Sequence, residues 1–113
     1  MRITVVGVCS AGKSTLEDGL KRLGYDAHAC VQEHSYLAGM WRTSRPDVLV
    51  YLDASLVDLR KRGQTGLDAA ALAEQRALLS DAREHCHLYV NTDRLSADQV
   101  LRRVRRFLEK HAY

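Results

Sequence analysis

Gly7, Gly12, Lys13 and Ser14 stand at the fixed positions of the pattern G-x-x-x-x-G-K-[ST], with Val8, Cys9, Ser10 and Ala11 between them. The chemistry that this spacing serves is anion capture. Glycines let the backbone curl until several N–H groups point inward, and the start of the next helix adds the positive end of its dipole. In such a loop Lys13 reaches the outer phosphates of a nucleoside triphosphate, Ser14 offers its hydroxyl to Mg²⁺, and Thr15 lies against the innermost phosphate. Four fixed positions recur by chance in a chain this short at a rate on the order of a few per thousand. A strand before the loop and an amphipathic helix after it lower that rate further.

Beyond the loop, the candidates for chemistry are two carboxylates and a set of cations. Glu33 sits where a strand should end beside the loop, so it is a candidate general base or a water-mediated Mg²⁺ contact. Asp53 follows a run of apolar residues and is its rival for the metal, unless it only caps the next helix. Arg60 and Arg62, flanking Lys61 before Gly63, are candidates to neutralise a transferred phosphoryl group. Their alternative is a solvated helix end bearing cations near its negative pole. Arg76 and Arg83 are weaker versions of the same idea. Trp41 and Tyr36 either stack on a ring or belong to the core. His85, Cys86 and His87 fall short of a closed zinc site.

The elements that must position these residues follow from periodicity. Residues 2–8 are a short β-branched run of the kind buried in a parallel sheet. Lys13 to Leu23 carries Leu16, Leu20 and Leu23 on one helical stripe, with Gly24 as its left-handed cap. Residues 26–32 predict a second strand, Ser35 to about Arg42 a short helix, and Val48–Leu52 a third strand. Ser55 and Asp58 resemble a capping box for a helix that stops at Gly63. A longer helix is expected from about Leu67 to Glu84, with Leu67, Ala71, Leu78 and Ala82 on one face. His87–Asn91 predicts the last strand. Ser96 and Gln99 open a final helix whose apolar face is Val100, Leu101, Val104, Phe107 and Leu108. Strands alternating with helices predict a three-layer α/β/α sandwich around a mostly parallel sheet of about four strands, the P-loop NTPase fold.

The chain of 113 residues fits one domain, 1–113, and 46% hydrophobic with 27% charged residues supports an ordinary core. No apolar stretch is long enough for a membrane span. The N-terminal run lacks the apolar core and cleavage site of a secretory signal. Cysteines at 9, 30 and 86 have no paired spacing, which suits a reducing compartment, so a cytoplasmic location is expected. Net charge is +3, and much of it lies in Arg102-Arg103-Val104-Arg105-Arg106. With no aromatic residues interleaved, that run reads as a solvated helix face rather than a nucleic-acid patch.

No D-x-x-G switch and no N-K-x-D base reader of a signalling GTPase is present. The chain instead resembles the P-loop kinase group that includes nucleoside and nucleotide kinases. Gly24-Tyr25-Asp26, leading to Val31-Gln32-Glu33 and then Trp41, is similar to the strand-end glutamate and following tryptophan of deoxynucleoside kinases. There the glutamate serves as base and the tryptophan lines the acceptor pocket. Arg45 to Ser55, followed by Leu59-Arg60-Lys61-Arg62, is similar to the strand and helix that lead into the arginine-bearing lid. His85 to Ser96 is similar to the last strand and the turn beside the nucleotide base. The resemblance implies a shortened member that binds ATP, or another NTP, with Mg²⁺ and transfers phosphate to a small-molecule acceptor. Base preference is expected towards adenine. The alternative is a non-kinase protein that binds or slowly hydrolyses ATP as a sensor or partner regulator. A homodimer would cover the edges of so small a sheet.

Overall fold

The computed structural model describes residues 1–30 and 40–111. The first strand, β1 (Arg2–Gly7), is buried at every position after Arg2, as expected of a β-branched run enclosed on both faces. The loop 8–12 leads into α1 (Lys13–Arg22), which buries Leu16 and Leu20. Gly24 follows at φ +90°, the left-handed turn expected of it. Leu23, expected on the buried stripe, is 42% exposed because the helix has already ended. Next comes β2 (Asp26–Ala29); of the run 26–32 expected, residues 31 and 32 lie outside the described residues. The Cys30 N–H extends the pairing by donating to the Val5 carbonyl.

The helix expected from Ser35 lies mostly outside the described residues, as do Glu33 and Tyr36. Its described end is a single 3₁₀ turn, Met40–Ser44. β3 (Val48–Asp53) is buried throughout. Ser55 caps α2 (Leu56–Lys61) by accepting the Asp58 N–H, while the Asp58 carboxylate pairs with Arg62 rather than closing a box.

The long helix expected over 67–84 is two helices, α3 (Ala69–Leu78) and α4 (Ser80–His85), with a break at Leu79. Its buried face is also rotated by one residue. Leu67, Leu72, Leu79 and Ala82 are buried, whereas Leu78 is 39% exposed. Leu72 and Leu79 are seven residues apart and so share a face; the pair Ala71 and Leu78 lies about 100° round the helix. The last strand, β4 (Leu88–Asn91), precedes α5 (Ala97–Lys110), which opens on the full Ser96–Gln99 capping box. Val100, Val104 and Leu108 are buried along it, and Arg102, Arg103, Arg105 and Arg106 are exposed.

All four strands are parallel, in the order β2-β1-β3-β4. The step from β1 to β2 runs one way across the sheet and the later steps run back. Right-handed crossovers therefore put α1 on one face and α2 to α4 on the other. α5 returns to pack on α1, and α4 packs on β3. The result is an α/β fold with helices on both faces of a parallel sheet and one contiguous hydrophobic cluster. Loop 8–12, Cys30, Asp53 and Thr92 all lie at the C-terminal edge of the sheet, where open α/β sheets place ligands. Among the described residues no helix is long and apolar enough to cross a membrane.

Candidate phosphate and nucleotide site

The loop begins where β1 can no longer carry a side chain. Gly7 pairs with Leu52 across the sheet, and a Cβ built on it would lie 2.1 Å from the Leu52 carbonyl oxygen. The chain then turns back, with Ala11 N–H donating to Val8 O at 3.3 Å and Ser10 at φ +57°. Gly12 closes the turn at φ +104° as the N-cap of α1. Having no side chain, it satisfies none of the first-turn amides, so those of Lys13, Ser14 and Thr15 remain open for an anion.

Two cavities meet at this loop. One, of about 290 Å³, is lined by Ala11, Leu16, Leu95 and Val100 among others, and is largely apolar. The second, of about 460 Å³, adds Cys9, Lys13, Ser14 and Cys30. Ser10, Gly12, Thr15 and Arg62 border both. An apolar chamber next to a chamber of loop amides, a lysine and hydroxyls suits a ring joined to a chain of phosphates.

Lys13 Nζ donates to Gly7 O at 2.7 Å, which folds the ammonium back over the loop. Burial holds its pKa below the ordinary lysine value, against the opposing pull of the nearby Cys9 and Cys30 thiols. Burial likewise pushes the Cys30 thiol up, and the Lys13 charge pulls it back in part.

Of the two arginines expected to act together, only Arg62 borders the cavities. It donates to Ser10 O at 3.0 Å, to Thr92 Oγ1 at 3.1 Å and to Thr92 O at 2.9 Å, and it pairs with Asp58 at 2.6 Å. One guanidinium thus ties the loop to the end of β4. Arg60 turns the other way and donates to Leu67 O at 2.8 Å, closing the 63–66 turn. The Gln64 amide reinforces the tie by donating to Ser10 Oγ at 2.7 Å.

Asp53 is buried, and its carboxylate is taken up elsewhere. It accepts from Ala54 N at 2.9 Å, from Arg76 at 3.1 Å and from Tyr89 OH at 2.8 Å. The cavity it lines is a separate one, shared with Tyr51, Arg76 and Arg83. Tyr51 stacks on Tyr89 there, and its phenol is pushed up to about 12 by burial and by the Asp53 charge. Arg83 lies over the Tyr89 ring at 4.0 Å.

Trp41 is also turned away from the loop: its Nε1 donates to Asp81 at 3.0 Å and Arg42 covers its ring. His85, Cys86 and His87 do not converge. Their partners are Asp81 O, Arg83 O and the Leu49 N–H respectively. Among the described residues no carboxylate lines either loop cavity, and the hydroxyls there are those of Ser10, Ser14, Thr15 and Thr92, with Ser14 at the position the loop pattern assigns to a cation. That set fits Mg²⁺, which retains waters and takes phosphate oxygens as its main ligands.

Two contacts had no signal in the sequence. Gln75 on α3 accepts the Cys9 N–H at 3.1 Å and donates to Cys9 Sγ at 3.3 Å. Cys30 was readable only as one residue within the strand expected over 26–32.

No family model matches the chain, and no curated protein matches it either. Among solved structures the chain is similar in fold to the YorR protein of Bacillus subtilis, determined in complex with phosphorylated GDP. The two share a TM-score of 0.61 over 98% of this chain and 99% of that one, at 15% sequence identity. The likeness is therefore one of fold.

Proposed function

We propose that the chain binds a nucleoside triphosphate with Mg²⁺ through residues 7–15 and acts as a minimal ATP-dependent phosphotransferase of the nucleoside or nucleotide kinase type. The observation that carries this reading is the pair of cavities meeting at Ser10, Gly12, Thr15 and Arg62. A base fits against Leu95 and Val100, and the phosphates run past the open α1 amides to Lys13. Ser14 is the Mg²⁺ contact. Lys13 and Arg62 neutralise charge as phosphate moves. Glu33 supplies the base: β2 runs toward the cleft, Cys30 lines it, and Glu33 follows three residues later. The resemblance to nucleotide kinases makes ATP the donor. The phosphorylated GDP held by the fold neighbour makes guanine nucleotides the first acceptors to try.

One observation favours the second reading, a nucleotide sensor or slow hydrolase: no described residue places a carboxylate in the cleft. The two readings separate in one assay. γ-Labelled Mg·ATP is incubated with pooled nucleosides, GMP, GDP and small sugars, with Lys13→Ala and Glu33→Gln alongside. The kinase reading expects a labelled acceptor that disappears in both variants, with ATP affinity kept in Glu33→Gln. Label released only as phosphate supports the sensor reading, and undiminished transfer by Glu33→Gln removes Glu33 from the chemistry.

A further inference from the structure

Ala11, Leu16, Leu95 and Val100 line the apolar cavity and not the second, whereas Cys9, Lys13, Ser14 and Cys30 line the second and not the first, so the two sets mark the two ends of the composite site. A nucleotide with its base in the first therefore brings its outermost phosphoryl group to Cys9 and Lys13. At that end one loop amide is already taken. The Cys9 N–H donates to Gln75 Oε1 at 3.1 Å, and the same carboxamide donates back to Cys9 Sγ at 3.3 Å. Gln75 comes from α3, 66 residues further along the chain. A carboxamide oxygen and a phosphoryl oxygen are both acceptors, and one N–H cannot serve both at full strength.

We propose that Gln75 sets the discrimination between nucleoside tri- and diphosphates, because its carboxamide holds the Cys9 N–H and must release it to a third phosphate but not to a second. This rests on the nucleotide-binding reading above and sharpens it. A diphosphate, reaching less far, leaves the Cys9–Gln75 pair intact. A triphosphate exchanges that hydrogen bond for one to its terminal group, and Gln75 is then released from the loop. Gln75 is a positioning residue here: it acts through the Cys9 amide.

The test measures ATP and ADP affinities by calorimetry for the parent, Gln75→Ala, Gln75→Glu and Lys13→Ala, each first shown to be folded by its unfolding curve. In Gln75→Ala the amide is free beforehand, so ATP should tighten about five-fold relative to ADP. In Gln75→Glu the acceptor is stronger and charged, so ATP should weaken by ten-fold or more relative to ADP. In the parent, the Cys9 amide resonance should move on adding ATP and stay on adding ADP. An ATP/ADP ratio unchanged in both variants, or ATP loosened by Gln75→Ala, overturns the proposal. A parent that binds neither nucleotide, or binds both as well as Lys13→Ala does, overturns the nucleotide-binding reading itself and this proposal with it.

Discussion

Replacing Gly7 with alanine is the most direct test of how the loop is anchored. The added Cβ would sit 2.1 Å from the Leu52 carbonyl oxygen and 3.0 Å from its carbon, both backbone atoms of a buried central strand. Neither can rotate aside, so β1 and β3 must separate by about an ångström at the Gly7–Leu52 pair to reach an ordinary contact distance. Overpacking of this kind costs about 1–3 kcal/mol. Gly7 also has φ +156°, a region nearly closed to residues with a Cβ, which adds about 1–3 kcal/mol. The sum is about 4 kcal/mol, a large share of the roughly 5–15 kcal/mol that stabilises a domain. For a chain of this length it corresponds to a Tm lower by about 15 °C. Gly12→Ala is the matched control. It too has a positive φ, but a Cβ there meets nothing within 4 Å, so only the dihedral term applies, about 1–2 kcal/mol. Urea unfolding followed by far-ultraviolet circular dichroism measures both. If the two variants unfold at the same midpoint, or Gly7→Ala lies within about 1 kcal/mol of the parent, the close approach to Leu52 does not anchor the loop.

Other expectations follow from the same geometry. Burial lowers the Lys13 pKa, and a phosphate beside it would favour the ammonium, so between the lowered and the restored value binding must take up a proton. ATP affinity should therefore fall as pH rises through the lowered value, and calorimetry in alkaline buffers of different ionisation enthalpy should show the uptake; zero proton linkage would count against Lys13 as a phosphate contact. Arg62→Ala removes bonds to both Ser10 and Thr92 and should lower ATP affinity about 10- to 100-fold, whereas Arg60→Ala should leave it within about two-fold. Asp53→Asn should destabilise the fold by about 1–3 kcal/mol through the loss of the charged Arg76 and Tyr89 bonds, yet leave the Mg²⁺ dependence of ATP binding unchanged. A shifted Mg²⁺ dependence would return Asp53 to the metal. Ser14→Ala should weaken Mg·ATP while leaving metal-free ATP nearly unaffected, as read from affinities with and without EDTA.

The elements that position the site are written in short-range pattern. A β-branched run, a loop with fixed glycines and a leucine stripe make β1, the loop and α1 readable together, and the Ser96–Gln99 box marks the start of α5. Partners that come from far along the chain are not readable this way. Arg60 and Arg62 are two residues apart at one helix end, about 200° round the axis, and nothing local says which of them faces Ser10. Asp53 ends an apolar strand, as a metal-binding acid does; its partners Arg76 and Tyr89 stand 23 and 36 residues later, on α3 and β4. The one-residue rotation of α3 and its break at Leu79 come from the same source, since Ala and Leu recur so densely over 67–82 that two stripes are written there. Packing against the sheet selects between them.

Besides the open amides of Lys13, Ser14 and Thr15, the loop has polar groups already engaged within the chain. Lys13 is held by Gly7 O, the Cys9 N–H by Gln75, and Ser10 by Arg62 through its carbonyl and by Gln64 through its hydroxyl. At Lys13 and the Cys9 N–H, the two donors among these groups, a phosphate would exchange one hydrogen bond for another, with a net gain closer to the ~1 kcal/mol of an exchanged bond than to the several kcal/mol of an unmet one. Three of those internal partners, Arg62, Gln64 and Gln75, belong to the stretch from the end of α2 to α3. A phosphate that displaced these partners would act first on that stretch, which also carries Arg76, the partner of Asp53. Among the described residues, Arg62, Gln64, Gln75 and Arg76 thus join the loop to the Asp53–Tyr89 pair through one stretch of chain.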